Sequence, residues 1–346
     1  MNINTTLLDE TRGQTDAETL ESQDDLLEKY DCWRNQIEQF ITYEGPFLDR
    51  QKKAINIVEE IMMRHGKAKI LKCVTELARV EYGIRDIEPW VRDHVVHALL
   101  SFVLGIFLNE RFLRPKNAVG VFQWKLAGLL HDVGYPVQIA KDILESFGAK
   151  MNEIKQLLDV PAPDIGFRIV PVGLARLANG ADSLNLIQDC LEQWDLDIDA
   201  KREYSMMMET GQVCHGMISA LSVLYLLDLM YAAHNSARAY TDALDENTGI
   251  DWSQDFFDQD IVPACSAIFT HNLPEECFTK AKIRRDVAPL PFLLRLADCL
   301  QDWERPKKKN PKGTPATRYN IEVTPNGLIV SSSLDIWWQS HLYSHL

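Results

Sequence analysis

Six side chains of metal-ligand type, His94, His131, Asp132, His215, His271 and Asp298, are spread along the chain, each in or at the edge of an apolar helical stretch. Imidazoles and carboxylates that converge from separate helices form the donor set that a divalent transition metal takes. The His-Asp dipeptide alone says little in a chain with nine His and 50 acidic residues. The information lies in the order, spacing and helical setting of all six. A lone His on an apolar helix is usually a hydrogen-bonded core residue, and His65 and His234 are read that way. His341 and His345 belong to the C-terminal segment and stand apart from the series. For the six, burying each polar group without a partner would cost roughly 2–7 kcal/mol, whereas a shared metal satisfies them together.

Mixed imidazole and carboxylate ligation suits Mn, Fe, Co, Ni or Zn. Two such ions about 3.5–4 Å apart can hold a bridging water, lower its pKa and clamp a phosphoryl oxygen. Charge on a phosphate transition state also calls for nearby cations. Arg92, two residues before His94, Arg295, three before Asp298, and Arg305 are the nearest in sequence, each with a structural salt bridge or surface solvation as its alternative role. Lys280, Lys282, Arg284 and Arg285, with the Lys307–Lys309 run, form two basic strips flanking the Asp298 helix. Such runs are commonly solvated faces; at a cleft mouth they would funnel an anionic substrate.

These residues need helices to bring them together, and the periodicity supplies them. Amphipathic segments run from Leu26 to Ile41, from about Leu48 to Arg64 and from Ala68 to Val80. Pro89 to Asn109 opens with a Pro suited to a first helical turn and is apolar nearly all round from Val95, so it is expected to be central and buried. Phe122 to His131 reads as a second buried helix, stopped by a Gly134-Tyr135-Pro136 turn, and residues 159–183 as a Pro- and Gly-rich irregular insert. Gly211 to Ala233, Asp258 to Thr270 and Pro289 to Trp303 complete the helical set. Beyond it, residues 306–318 form a basic loop, and residues 319–346 begin with a β-hairpin around an Asn326-Gly327 turn. Residues 1–27 are polar, acidic and free of aromatics, the composition of a disordered tail.

Composition narrows the function classes. A 46% hydrophobic, 25% charged chain is ordinary globular usage. The net charge of −14 repels polyanions, so nucleic acid is possible but not favoured as a partner. Seven Cys without a C-x-x-C pair and no signal-peptide pattern read as reduced thiols, hence a cytoplasmic expectation. The apolar run Val95 to Leu108 falls short of the ~20 residues that span a bilayer, so no membrane segment is expected. Neither a Gly-rich phosphate loop nor a G-x-S-x-G elbow occurs.

The segments RDHVVH (92–97), LAGLLHDVGYP (126–136), CHGMISAL (214–221), FTHN (269–272) and PLPFLLRLADCLQDWERP (289–306) together resemble the HD-domain metal-dependent phosphohydrolase superfamily over residues 90–306. The resemblance implies a mostly α fold, an HD-domain helical bundle covering 28–305. It implies His94, His131, Asp132 and Asp298 as a one-metal set. His215 and His271 match the two further His of members with two metals, Asp132 bridging. His94 is the favoured first ligand, because H-x-x-H-A-L matches the usual H-x-x-R-V-A. His97, three residues on and sharing that helix face, either replaces it or acts as proton donor. Many relatives continue HD-x-G-K with a phosphate-contacting Lys; here Tyr135 and Pro136 follow, so that contact is missing. The implied activity is hydrolysis of a phosphate ester or phosphodiester, of an anionic nucleotide-type small molecule, with Asp132, His97, Arg92 and Arg295 as the catalytic candidates. A deoxynucleoside triphosphohydrolase, a di-iron oxygenase on the same scaffold and a non-catalytic nucleotide sensor are the alternatives.

Overall fold

A computed structural model describes residues 26–43, 45–63, 71–85, 93–113, 118–158, 174–177, 180–238, 254–279, 282–301, 319–324 and 327–332. Among them the chain is mostly helical, with one two-stranded antiparallel hairpin. Three amphipathic helices come first: α1 (Leu26–Ile41), α2 (Phe47–Met63) and α3 (Leu71–Arg85). Their apolar residues recur at helical spacing, as with Ala54, Ile57, Val58 and Ile61 of α2, and that stripe is the buried face. In α3 the stripe Val74, Leu77, Ala78 ends on a fully buried Glu81, a carboxylate at a core position.

Helix α4 (His94–Leu108) is the centre, packed by α2 and α3 and, from later in the chain, by α5 (Val121–Leu130) and α11 (Pro289–Leu300). It is buried on all sides except at Phe107. Its start differs from the sequence reading, which began the helix at Pro89. Asp93 is extended, and its side chain accepts from the Val96 N–H at 3.0 Å, so helical geometry begins at His94. The far end widens into a π-helical turn (Asn109–Leu113), tied down by Asn109, whose side chain bonds both the N–H and the carbonyl of Val119. With that turn, His94–Leu113 is long and apolar enough to cross a membrane by length and composition, contrary to the sequence expectation, as is His215–Ala232. Burial of 78% of the first stretch against other helices explains its apolarity as that of a core helix.

The Gly134-Tyr135-Pro136 segment is not simply a stop. After a turn over 131–134, Tyr135 and Pro136 open a long helix, α6 (Tyr135–Leu158), where a Pro in the first turn needs no N–H partner. Two helices without a sequence assignment follow: α7 (Ser183–Gln193) and α8 (Ala200–Thr210), capped by Asp182 and Asp199. Gly211 ends α8 in the left-handed region (φ 70°) rather than starting the next helix. Helix α9 therefore runs His215–Arg238, with His215 as its first residue. A π-helical turn (Phe257–Ile261) leads into α10 (Val262–His271), which packs on α5, α7, α9 and α11.

One continuous apolar core reaches from Trp33 to Leu300. The strands β1 (Tyr319–Thr324) and β2 (Gly327–Ser332) pair with Thr324 opposite Gly327, so Gly327 belongs to the second strand and not to the turn centre. Ile321, Leu328 and Val330 pack against the helical core, so the hairpin is applied to the body rather than hanging from it. Of the acidic tail expected over 1–27, Leu26 and Leu27 instead open α1, and residues 1–25, the basic loop 306–318 and residues 333–346 lie outside the described residues.

Candidate metal centre

Four helices and one turn deliver the site. His97 comes from the first turn of α4, His131 and Asp132 from the turn that closes α5, and His215 from the first residue of α9. His271 is the last residue of α10, and Asp298 lies near the end of α11. The Asp132 carboxylate stands in the middle, with a different oxygen towards each half. Oδ2 faces His131 Nε2 at 3.5 Å and His97 Nε2 at 3.8 Å, and His97 Nε2 lies 2.8 Å from Asp298 Oδ1. Oδ1 faces His215 Nε2 at 3.2 Å and His271 Nε2 at 3.6 Å. Donor atoms of His97, His131 and Asp298, and separately of His131, Asp132 and His271, lie within 4.8 Å of one another.

The opposite edge of each ring is held by an acceptor. His131 Nδ1 donates to the Gly128 carbonyl (3.0 Å) and His271 Nδ1 to the Ile268 carbonyl (2.6 Å). His97 Nδ1 meets the Gln301 side-chain oxygen, and His215 Nδ1 meets Gln138 Oε1 at 2.7 Å. A carbonyl can only accept, so the proton of a neutral His131 or His271 sits on Nδ1 and the Nε2 lone pair points inward. That is the arrangement outer hydrogen bonds impose on metal-binding imidazoles.

Two atoms test whether a cation fits. His131 Nε2 and Asp132 Oδ2 are both buried with no hydrogen-bond partner. Burial pushes the His131 imidazole down to about 4, against the pull of the Asp132 charge, so near neutral pH its Nε2 carries a lone pair and no proton. Burial would raise the Asp132 carboxyl, but the neighbouring His131, His215 and His271 imidazoles together hold it well below the usual range. A lone pair thus faces a carboxylate oxygen with nothing between them, an arrangement that a divalent ion satisfies. His215 Nε2 and His271 Nε2, 3.2 Å apart, match the ~3.3 Å edge of a tetrahedron with metal–nitrogen bonds near 2.0–2.1 Å. These buried His/Asp groups are fitted to hold a metal ion.

The preference for His94 over His97 is corrected here. His94 starts α4, and both its backbone N–H (2.9 Å) and its Nδ1 (2.7 Å) meet Glu81 Oε1, while its ring stacks on Tyr135 at 3.5 Å. His97, one turn further, reaches the acidic centre. Burial pushes the Glu81 carboxyl well above its ordinary value, with Asp93 adding to the rise. Arg295 is corrected too. It is buried, its Nη1 donates to the Thr270 carbonyl at 3.2 Å and its guanidinium covers the Phe278 ring at 4.2 Å. It clamps the end of α10 that carries His271 instead of facing an open cleft. Arg92, Arg305, Lys280 and Lys307–Lys309 lie outside the described residues. Of the remaining basic strip, Arg284 pairs with Asp286 and Arg285 covers Phe112.

Solvent reaches the site at one edge. The Asp298 and His215 side chains are 23% and 14% exposed, whereas His97, His131 and His271 are at most 1% exposed. Sequence reasoning missed Gln301, Gln138 and Glu81. Only Glu81 carried a signal, a carboxylate in phase with the buried stripe of α3.

The buried imidazoles make a pH prediction for chelator-treated protein. His131 titrates near 6.5 when unfolded and near 4 when folded. Below 6.5 the unfolded chain takes a proton that the folded one refuses, so this stability is present above pH 6.5 and is lost as pH falls towards 4. Burial lowers His215 in the same sense; His271, raised by Asp132 despite its burial, acts oppositely. From pH 7.5 to 5 the wild type should lose about 2 kcal/mol more than His131→Gln in denaturant titrations. Equal losses would contradict the buried, neutral imidazole.

Comparisons with known protein families, with curated proteins and with solved structures find no match.

Proposed function

We propose that the chain is a metal-dependent phosphohydrolase of the HD-domain type, hydrolysing a phosphate ester or phosphodiester of a nucleotide. The observation that carries this reading is the division of the Asp132 carboxylate. One oxygen faces His97, His131 and the Asp298 side, and the other faces His215 and His271. Only a pair of cations uses both oxygens and all four imidazoles at once. Six residues in the order H…HD…H…H…D support the family reading, with His97 in the first position.

Two divalent ions held there would supply Lewis acidity to a phosphoryl oxygen and a water acidic enough to ionise near neutral pH. The protein's own groups do the rest. Asp298 and His215 form the edge that solvent reaches, so an anionic phosphoryl group approaches there. His131, Asp132 and His271 close the floor and exclude bulk water, which strengthens every charge interaction above them. His94 becomes the proton donor to the leaving oxygen. Its Nδ1 is held at 2.7 Å by Glu81, and Tyr135 fixes its ring plane. The sequence reading assigned the proton-donor alternative to His97; with His97 facing the centre, the role passes to His94.

The test is anaerobic purification with metal analysis, then a phosphate-ester and phosphodiester panel in Mn, Fe and Co. The expected result is metal at about two per chain and turnover lost in the double variant His131→Ala/Asp132→Ala. Protein that binds no transition metal, or a double variant with unchanged metal and activity, would sink the proposal.

A further inference from the structure

The four imidazoles are not held alike. His131 and His271 each have a backbone carbonyl at Nδ1, an acceptor that cannot become a donor. His215 has two side-chain amides at the same nitrogen. Gln138 Oε1 lies 2.7 Å from Nδ1 and the Asn272 amide nitrogen 3.0 Å from it. One is an acceptor and the other a donor. A single ring nitrogen cannot serve both, because it either bears a proton or presents a lone pair.

The choice has a consequence on the other side of the ring. When Gln138 is the partner, Nδ1 carries the proton and the Nε2 lone pair points at the Asp132 side as a ligand. When Asn272 donates to Nδ1, the proton moves to Nε2, which then donates to Asp132 Oδ1, 3.2 Å away. In that state the carboxylate oxygen is satisfied by a proton and this half of the centre cannot take a cation. In the other half His131, held by the Gly128 carbonyl, has no such alternative.

The two amides also come from different elements. Gln138 lies in the first turn of α6, just past the His131-Asp132 turn, and is half-buried. Asn272 is the exposed residue that caps α10 immediately after His271. His215 is the more exposed of the His ligands, so its tautomer is the one most open to change from outside.

We infer that Gln138 is a positioning residue which, opposed by Asn272, selects the tautomer of His215 and so decides whether the His215–His271 half of the centre accepts a metal ion. This rests on the two-metal reading above. Removing the acceptor leaves only the donor and weakens the second ion; removing the donor does the reverse. Substitutions of hydrogen-bonding partners of metal ligands typically change metal affinity about 10–100-fold.

The experiment is titration of Co2+ into chelator-treated full-length protein, followed by calorimetry and visible absorption. Wild type is expected to take two ions. Gln138→Leu should bind the first ion as wild type does and the second about 10–100-fold more weakly. Gln138→Glu, which keeps an acceptor oxygen, should restore the second ion, and Asn272→Leu, a change at an exposed position, should tighten it. A merely structural role for Gln138 would lower metal-free thermal stability without this opposition of signs. Wild type taking up no Co2+ overturns the metal centre, and this inference with it. Wild type taking one ion, Gln138→Leu binding the second normally, or Asn272→Leu weakening it overturns the inference about Gln138 alone.

Discussion

Asp132→Asn should empty both halves of the metal centre and lower phosphate-ester turnover by about three orders of magnitude or more, equivalent to about 4 kcal/mol of transition-state stabilisation. The expectation follows from the position of the carboxylate. Asp132 is the residue with an oxygen directed into each half, at 3.5 Å from His131 Nε2 and 3.2 Å from His215 Nε2. An amide keeps the shape but offers one neutral oxygen, and its NH2 group would face either pair of imidazoles as a donor. His215→Ala or His271→Ala, by contrast, should remove about one ion of two, because each touches only the Oδ1 side. Metal analysis and kcat for the three variants side by side check this. An Asp132→Asn protein that retains both ions would remove the bridging role and leave each half self-sufficient.

The second large effect is expected from a residue with no side chain. At Gly134 an added Cβ would lie 2.6 Å from the Ser219 backbone nitrogen and 2.7 Å from the His215 carbonyl oxygen. Both are backbone atoms in the first turns of α9, and the Gly134 N–H itself donates to Ser219 Oγ at 2.8 Å. The turn that carries His131 and Asp132 is thus pressed directly onto the helix that carries His215. Gly134→Ala cannot be absorbed by a rotamer change, so the turn must retreat. Overpacking of this kind costs about 1–3 kcal/mol, and backbone contacts put it at the upper end. The retreat also separates Asp132 from His215, so the second ion should be lost with the stability. Gly83→Ala is the control. It sits in exposed helix with open space around it and should stabilise by about 0.5–1 kcal/mol. A Gly134→Ala protein with unchanged unfolding midpoint and metal content would show that this contact positions nothing.

Much of the architecture was legible because it is written in local periodicity. Of the face Ile55, Val58, Ile61 and Met62 that periodicity gives in α2, the last three are buried and Ile55 half-buried, and the all-round apolarity of α4 predicted a burial that the packing bears out. What periodicity lacked was punctuation. Asp93, Asp182 and Asp199 cap helices through side-chain bonds that look, in sequence, like any other exposed Asp. Gly211 could equally open α9 or close α8, and only its left-handed backbone decides. Pro136 after Gly134 reads as a stop, yet a Pro in a first turn is equally compatible with a start.

At the site, residue type and order alone drew attention to His131, Asp132, His215, His271 and Asp298, since polar metal-ligand groups in apolar helical surroundings demand a partner. Which of His94 and His97 joins them was beyond sequence, because residues three apart share a helix face. Glu81, from a helix that precedes α4, settled it by taking the first turn's N–H and the His94 ring. Arg295 illustrates the same limit: three residues before Asp298, it nevertheless meets Thr270 and Phe278. The sequence by itself determined the helical class and five of the six side chains that converge, through short-range patterns of burial and chemistry. The tertiary structure alone decided which nitrogen faces inward and which oxygen serves which half, because those depend on hydrogen bonds between segments far apart in the chain.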